Sequence, residues 1–409
     1  MMLQRIFGHF QLLRQRTYSI YFAGQLISMT GTFMQATVQA WLVYRLSGSA
    51  AWLGIIAFLT YLPAFILSPI AGVLVDHYDR RLLLIATQVI ALLQAALLGF
   101  LALTNQVEVW HIAALATLNG MINAFELVSR HSFAVQMVGK EDLPSAIALN
   151  AFIINAAKII GPSLGGILVA YLNEGTCFLI NSASYIAVIY SLCLFSSQHE
   201  VKKEQIQILK NLAEGVRYVL RHQKLHFPLV FAAFIGVVSA PYVTLLPVFA
   251  KDVLSGDARS LGFLTGMHAL GALIGALTSI GRGRLSEIRP LLIGRLILVG
   301  LGLSIYALSN HLWISGVAIA VVGYFLISSY PLINTYLQDQ VDDRMRGRVI
   351  SLYSMTFLGT IPFGGIISGW IAEWMSAQKF LLWNAILIGI VGIILSIRLW
   401  RKKRSLQLS

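Results

Sequence analysis

Leu46-Ser-Gly-Ser-Ala-Ala-Trp-Leu-Gly54 returns as Leu254-Ser-Gly-Asp-Ala-Arg-Ser-Leu-Gly262, at an offset close to half of the 409 residues. A second pair keeps that register: Gly161-Pro162 followed by Gly165-Gly166 is echoed by Pro362 followed by Gly364-Gly365. Short glycine-rich strings coincide by chance in apolar chains. Two coincidences in the same order and at similar spacing mark a duplicated unit.

The duplicated unit is apolar. Hydrophobic residues make up 57% of the chain and charged residues 11%, with a mean hydropathy of +0.76. A soluble domain carries about 25% charged residues. The composition therefore excludes a soluble enzyme, a disordered chain and a secreted disulfide scaffold, and the two cysteines, Cys177 and Cys193, lie in apolar stretches. A helix needs about 20 apolar residues to cross a bilayer. Such runs occur at Tyr18–Leu46, Trp52–Val75, Leu82–Thr104, His111–Phe133, Leu143–Leu172 and Cys177–Phe195, and again at Phe227–Ala250, Ser260–Ile280, Pro290–Ser309, Leu312–Leu337, Val349–Trp374 and Phe380–Leu399. The expectation is an all-α membrane protein of 12 transmembrane helices in two six-helix bundles. Residues 18–195 and 227–400 form the bundles. A cytoplasmic linker spans 196–226, an amphipathic segment 1–17 precedes and a basic tail 401–409 follows.

Charge placement sets the orientation. With both termini in the cytoplasm, 24 of the 30 Lys and Arg residues fall on that side, as the positive-inside bias requires. The net charge of +13 is thereby assigned to anionic lipid headgroups rather than nucleic acid. No cleavable signal peptide is expected. Leu3, Ile6, Phe7, Phe10 and Leu13 read as a short helix on the inner surface.

Gly72-Val-Leu-Val-Asp76-His-Tyr-Asp79-Arg80-Arg81, between the second and third spans, resembles the loop signature of the major facilitator superfamily, with Asp79 and His77 departing from the usual residues. Asn155-Ala-Ala-Lys158-Ile-Ile-Gly161-Pro162-Ser-Leu-Gly165-Gly166 resembles the motif of the fifth span in that family's antiporters. Trp41 to Gly48, Cys177 to Tyr185 and Gln338 to Arg348 are similar to the drug/proton antiporter branch, which includes the enterobactin exporter and macrolide efflux proteins. The resemblance implies the major facilitator fold, with spans one, four, seven and ten lining a cavity. It also implies a gate at Gly72, Asp76, Arg80 and Arg81, where Asp76 faces the N-terminus of span eleven. A carboxylate so placed contributes about 0.3–1 kcal/mol; ordinary positive-inside anchoring is the alternative for the arginines. Gly161, Pro162, Gly165 and Gly166 remove side chains from one helix face and read as a packing hinge.

Polar groups in lipid are costly, so a stripe of them faces a wet cavity or a partner helix. Gln25, Ser28, Thr32, Gln35 and Gln39 step along one face of span one, and Asn119, Asn123, Glu126 and Arg130 along span four. Spans seven and ten offer Tyr242, Tyr324 and Gln338. Gln25, Gln35, Gln39, Asn119, Asn123, Tyr242, Tyr324 and Gln338 are the candidate substrate-cavity residues, with interhelical hydrogen bonding as the alternative. Intramembrane charges are functional candidates by default. Glu126, Arg130 and Lys158 admit three readings: a static salt-bridge cluster, proton coupling through Glu126, or an anionic substrate group bound by Lys158. His268 in span eight is a weaker protonation candidate.

There is no phosphate-binding Gly-x-x-x-x-Gly-Lys loop, no Cys/His cluster with metal-ligand spacing and no nucleophile–base pair. No enzyme, cofactor or metal is expected. The expectation is an inner-membrane exporter of small amphipathic molecules of drug or siderophore type, working by alternating access and proton antiport. Its partners would be that substrate, protons and membrane lipids, and the protein would be a monomer. A facilitator or importer of the same fold, for example for lysophospholipid, and a non-transporting receptor or scaffold are the alternatives.

Overall fold

The computed structural model describes residues 10–195, 208–279 and 288–407. Among them, eleven helices are long and apolar enough to cross a membrane. α1 (Arg16–Ser47), which carries Gln, Ser and Thr along its length, precedes them. Its 32 residues measure about 48 Å at the α-helical rise. α2 (Ala50–His77) and α3 (Arg80–Leu103) follow, then α4 (Val109–Gly139) and α5 (Glu141–Tyr171). These two are continuous through a break at Gly139, whose φ of 73° is accessible to glycine. α6 (Glu174–Cys193) ends the first half.

The linker is partly helical. α7 (Ile208–Arg221) precedes α8 (Gln223–Val253), α9 (Ala258–Ser279), α10 (Ile288–Leu308) and α11 (Leu312–Gln340). α12 (Asp343–Met375) and α13 (Ala377–Gln407) complete the chain. α7 is no free connector. Glu214 pairs with Arg348 of α12 at 2.6 Å, and Tyr218 donates to the Asp342 carboxylate at 3.0 Å. Gly215 lies against Leu352 and Arg348, where its missing side chain lets the helices meet.

Two compact units result. The first comprises residues 1–48, 59–206 and 257–262, the second 49–58, 207–256 and 263–409. In the first, α1 packs on the α4–α5 helix and on α6, and α3 packs on α6. In the second, α8 packs on α12 and α10 on α13. The bounds of the two units differ from the expected halves 18–195 and 227–400, since residues 49–58 group with the second unit and 257–262 with the first. The quoted strings are contact points. In the second unit a Cβ at Gly54 would meet the Gly365 carbonyl at 2.6 Å. In the first, one at Gly262 would meet the Pro162 carbonyl at 2.5 Å.

Large apolar side chains stay exposed along the spans, including Leu97, Ile66, Trp313 and Trp374. Apolar surface so extensive requires lipid rather than water. The chain is a multi-pass membrane protein.

The described part of the N-terminal segment departs from a helix lying on the membrane surface. Phe10–Arg14 form a short 3-10 helix that buries Leu12 among Tyr18, Tyr21, Leu84, Phe133 and Leu192. Burying a Leu side chain contributes about 1.5–3 kcal/mol, which holds the turn against the unit. Leu3, Ile6 and Phe7 lie outside the described residues.

Candidate functional site

The polar residues of α1 face protein. Gln25 is 3% exposed and its amide donates to the Tyr21 hydroxyl at 3.2 Å. Gln35 is bonded at both ends: its Oε1 accepts from Asn181 Nδ2 at 2.7 Å, and its Nε2 donates to Gln94 Oε1 at 3.1 Å. Gln94 passes the chain on to the Leu115 carbonyl at 3.3 Å, and Thr32 shares a hydroxyl bond of 3.1 Å with Tyr185. One network therefore ties α1, α3, α4 and α6. An unsatisfied buried amide costs about 1–3 kcal/mol, so each member fixes the packing of the next. Gln39 is also buried. Gln94 escaped the sequence reading, and Asn181 and Tyr185 entered it only within the stretch Cys177 to Tyr185, because spans three and six lie outside the four that the resemblance places around a cavity.

On α4 the stripe is half-buried. Asn123 donates to Asn119 at 3.1 Å. One turn further, Arg130 Nη1 sits 3.4 Å from Glu126 Oε1, with the side chains 9% and 14% exposed. The same Nη1 contacts Met29 Sδ at 3.6 Å. Removing one partner of a buried ion pair typically costs about 3–5 kcal/mol, because the other charge is stranded. Lys158 takes no part in this pair. It is exposed on α5, its Nζ lies 5.8 Å from the centre of the Phe33 ring, and among the described residues no carboxylate reaches it. The three charges are thus a pair and a separate cation.

In the second unit, Tyr242 is 1% exposed, and its hydroxyl lies 2.9 Å from His268 Nε2. Tyr324 is half-buried and accepts from Thr278 at 3.0 Å. Gln338 is exposed and donates to Asn334 at 2.6 Å. Each of the three is bonded to a different partner.

The loop between α2 and α3 is organised by capping. Asp79 is the N-cap of α3, accepting from the backbone N–H groups of Arg81 and Leu82 at 2.8 and 3.2 Å. That role suits Asp where the family pattern has Gly. Arg81 donates to the Leu192 and Cys193 carbonyls at 2.8 and 3.1 Å. It therefore adds a second donor to the Leu192 carbonyl, which also accepts from the Phe195 N–H at 3.3 Å, and opposes the negative end of that helix dipole. Arg80 is half-buried. Gly72 faces open space, with nothing within 4 Å of a built Cβ. The side chain of Asp76 lies outside the described residues.

Around Pro162 the helices approach closely. A Cβ at Gly161 would stand 2.6 Å from the Thr30 carbonyl and 2.9 Å from the Met34 nitrogen of α1. Gly165 faces Met34 and Val38 of the same helix, and Gly166 faces the Ala258 carbonyl at the start of α9. Among the described residues, no group of three His, Cys, Asp or Glu side chains could hold a metal ion.

The family model for transmembrane secretion effectors matches residues 7–407. The staphyloferrin A transporter of Staphylococcus aureus is 26% identical over 85% of this chain and 87% of its own length. The enterobactin exporter of Escherichia coli is 26% identical over 91% of this chain and 86% of its own. For the macrolide efflux protein A of Streptococcus pyogenes the identity is 23%, over 92% and 94%. Among solved structures, a bacterial homologue of the lysosomal transporter Spinster superposes with a TM-score of 0.72 at 14% identity, over 94% of this chain and 97% of its own. The nucleoside transporter NupG gives 0.70, over 93% and 98%. At such low identity the two structures attest the fold alone, which is that of the major facilitators.

Proposed function

This chain belongs to the transmembrane secretion effector family of major facilitator transporters, and from that premise we propose that it is a secondary exporter of small amphipathic molecules driven by proton influx. The substrate class rests on relatives whose names specify siderophore, macrolide and multidrug export. The transport cycle would be alternating access, and the membrane a bacterial inner membrane with both termini cytoplasmic, as the excess of basic residues in the loops on that side favours.

One observation carries proton coupling: Glu126 is a half-buried carboxylate in mid-span whose cation, Arg130, is held at a loose 3.4 Å. While Glu126 is ionised, it neutralises Arg130. A proton arriving on Glu126 removes that attraction and leaves the guanidinium to seek other acceptors, so occupancy of the site by a proton and the position of Arg130 change together. Such a group biases a two-state transporter only through this difference between its two states. Asn119 and Asn123, next along the stripe, would offer hydrogen bonds to the substrate. In the second unit, Tyr324 and Gln338 would do the same. Asp76, Arg80 and the Gly161-Pro162 seam would serve as gate and hinge.

The test is outflow of a macrolide and of enterobactin from loaded cells lacking their own exporters, with and without a protonophore. Outflow above that of empty-vector cells, halted by the protonophore, is the expected result. Outflow indifferent to the gradient contradicts antiport, and no excess outflow of either compound contradicts the substrate class.

A further inference from the structure

We propose that Lys158 and Arg130 form an anion subsite in the first unit, so that the exported amphiphile carries a carboxylate or comparable oxyanion. The proposal rests on the export reading and adds the charge of the cargo.

Lys158 lies 17 residues from Glu141 and 13 from Tyr171, the ends of α5, or about 26 and 20 Å of helix. A four-carbon stem cannot carry its ammonium to either end of the helix. A cation held there is an expensive feature, and compensation is normally built in beside it. None is. The neighbour of Nζ is the Phe33 ring at 5.8 Å, no carboxylate pairs with it among the described residues, and the side chain keeps an accessible surface. A ring face at that distance stabilises a cation but does not neutralise it.

Arg130 supplies the second half. It is 7% exposed, and its Nε finds no hydrogen-bond acceptor among the described residues. Its Nη1 is divided between Glu126 and Met29. Met29 and Phe33 are one turn apart on the same face of α1. Arg130 of α4 and Lys158 of α5 therefore flank one turn of α1. The group comprises two cations and one carboxylate, and an arriving anion would close that deficit. The aromatic ring of Phe33 and the thioether of Met29 suit the apolar body of the same molecule. A guanidinium with an open donor and an ammonium without a carboxylate partner among the described residues together match a carboxylate or phosphate group.

Two measurements on the full-length protein in nanodiscs test this. The first compares binding of dansyl-phenylalanine with that of its neutral carboxamide. The acid is expected to bind about tenfold more tightly, with the preference lost in Lys158→Gln and kept in Lys158→Arg. Equal affinities, or a preference unchanged by Lys158→Gln, would overturn the proposal. The second needs no ligand and decides if neither compound binds. A reporter Asn155→Cys, in a background with Cys177→Ala and Cys193→Ala, is modified by anionic and cationic methanethiosulfonates. The anionic reagent should react several-fold faster, and Lys158→Gln should erase the difference. Equal rates in the parent refute the subsite. An anionic bias abolished by phosphatidylglycerol in the disc, but insensitive to the dansyl acid, would assign the site to a lipid phosphate and equally overturn it. Loss of proton-driven export with the anion bias intact would refute the export reading alone.

Discussion

Gly161→Ala is the most informative single substitution in the packing of the first unit. The added methyl would sit 2.6 Å from the Thr30 carbonyl, 2.8 Å from Phe33 Cβ and 2.9 Å from the Met34 nitrogen, whereas ordinary contact begins at 3.4 Å. The shortfall is about 0.8 Å, and two of the three obstacles are backbone that cannot rotate away. α1 and α5 must separate, and overpacking of this kind costs about 1–3 kcal/mol. At about 2.1 cal/mol/K of unfolding entropy per residue, a chain of 409 residues shifts by about 1.2 °C per kcal/mol, so Tm should fall by roughly 1–4 °C. The control is Gly389→Ala in α13, where a Cβ would meet nothing within 4 Å. There the helix gains the propensity advantage of alanine, about 0.5–1 kcal/mol, and Tm should hold or rise. Tryptophan fluorescence of the purified protein during heating reads both. If the two variants shift Tm in the same direction and by similar amounts, the inferred helix approach is wrong.

Four further outcomes follow from individual contacts. Arg81→Ala should weaken the last turn of α6, whose carbonyls at Leu192 and Cys193 it holds; about 1.5–3 kcal/mol of local stability should appear as faster amide exchange around residues 192–195, and unchanged exchange would refute the cap. Gln35→Leu should strand Gln94 and Asn181 and lower Tm, because both ends of Gln35 are used; a neutral effect would count against the network. Glu214→Gln should release α7 from α12 only slightly, since the Arg348 pair is about one-third exposed and such pairs contribute about 0–1 kcal/mol; protease cutting in α7 should rise modestly and equalise with wild type at high salt. Burial holds the Tyr218 hydroxyl above the ordinary tyrosine range, and the Asp342 carboxylate beside it adds to this. The neutral phenol is thus the form the docked helix favours, so docking is retained below pH 10 and should loosen above it, read by the same protease assay.

How much was legible in the sequence differs between fold and site. Hydrophobic runs and the paired strings around Gly54 and Gly262 are strong signals, because a bilayer demands length and apolarity and a repeat demands register. The close approaches at Gly54, Gly161 and Gly262 are the physical content of those strings. Polarity within a span is a weaker signal. It shows that a residue avoids lipid but not whether water or another helix receives it. Gln35 and Asn123 have similar sequence signatures. Gln35 is bonded at both ends inside the unit, whereas Asn123 is half-buried beside Glu126. The partners of Gln35 lie 59 and 146 residues away, a separation that periodicity in one helix cannot reveal. Glu126 and Arg130, at i and i+4, were readable as a pair. The isolation of Lys158 was not, since it depends on what α1 presents to α5. The docking of α7 through Tyr218 and Glu214 was also hidden, because the sequence of a linker does not say which surface it meets.

Proton coupling through Glu126 is the central claim, and reconstituted vesicles with a trapped pH dye test it without any imposed pH gradient. When a concentration gradient of an exported compound is established, the protein should move protons in the opposite direction and shift the interior pH. Glu126→Gln should still pass or bind the compound while the interior pH stays flat. A compound that crosses through the wild-type protein with no change in interior pH, or a Glu126→Gln protein that still drives the shift, would contradict the account.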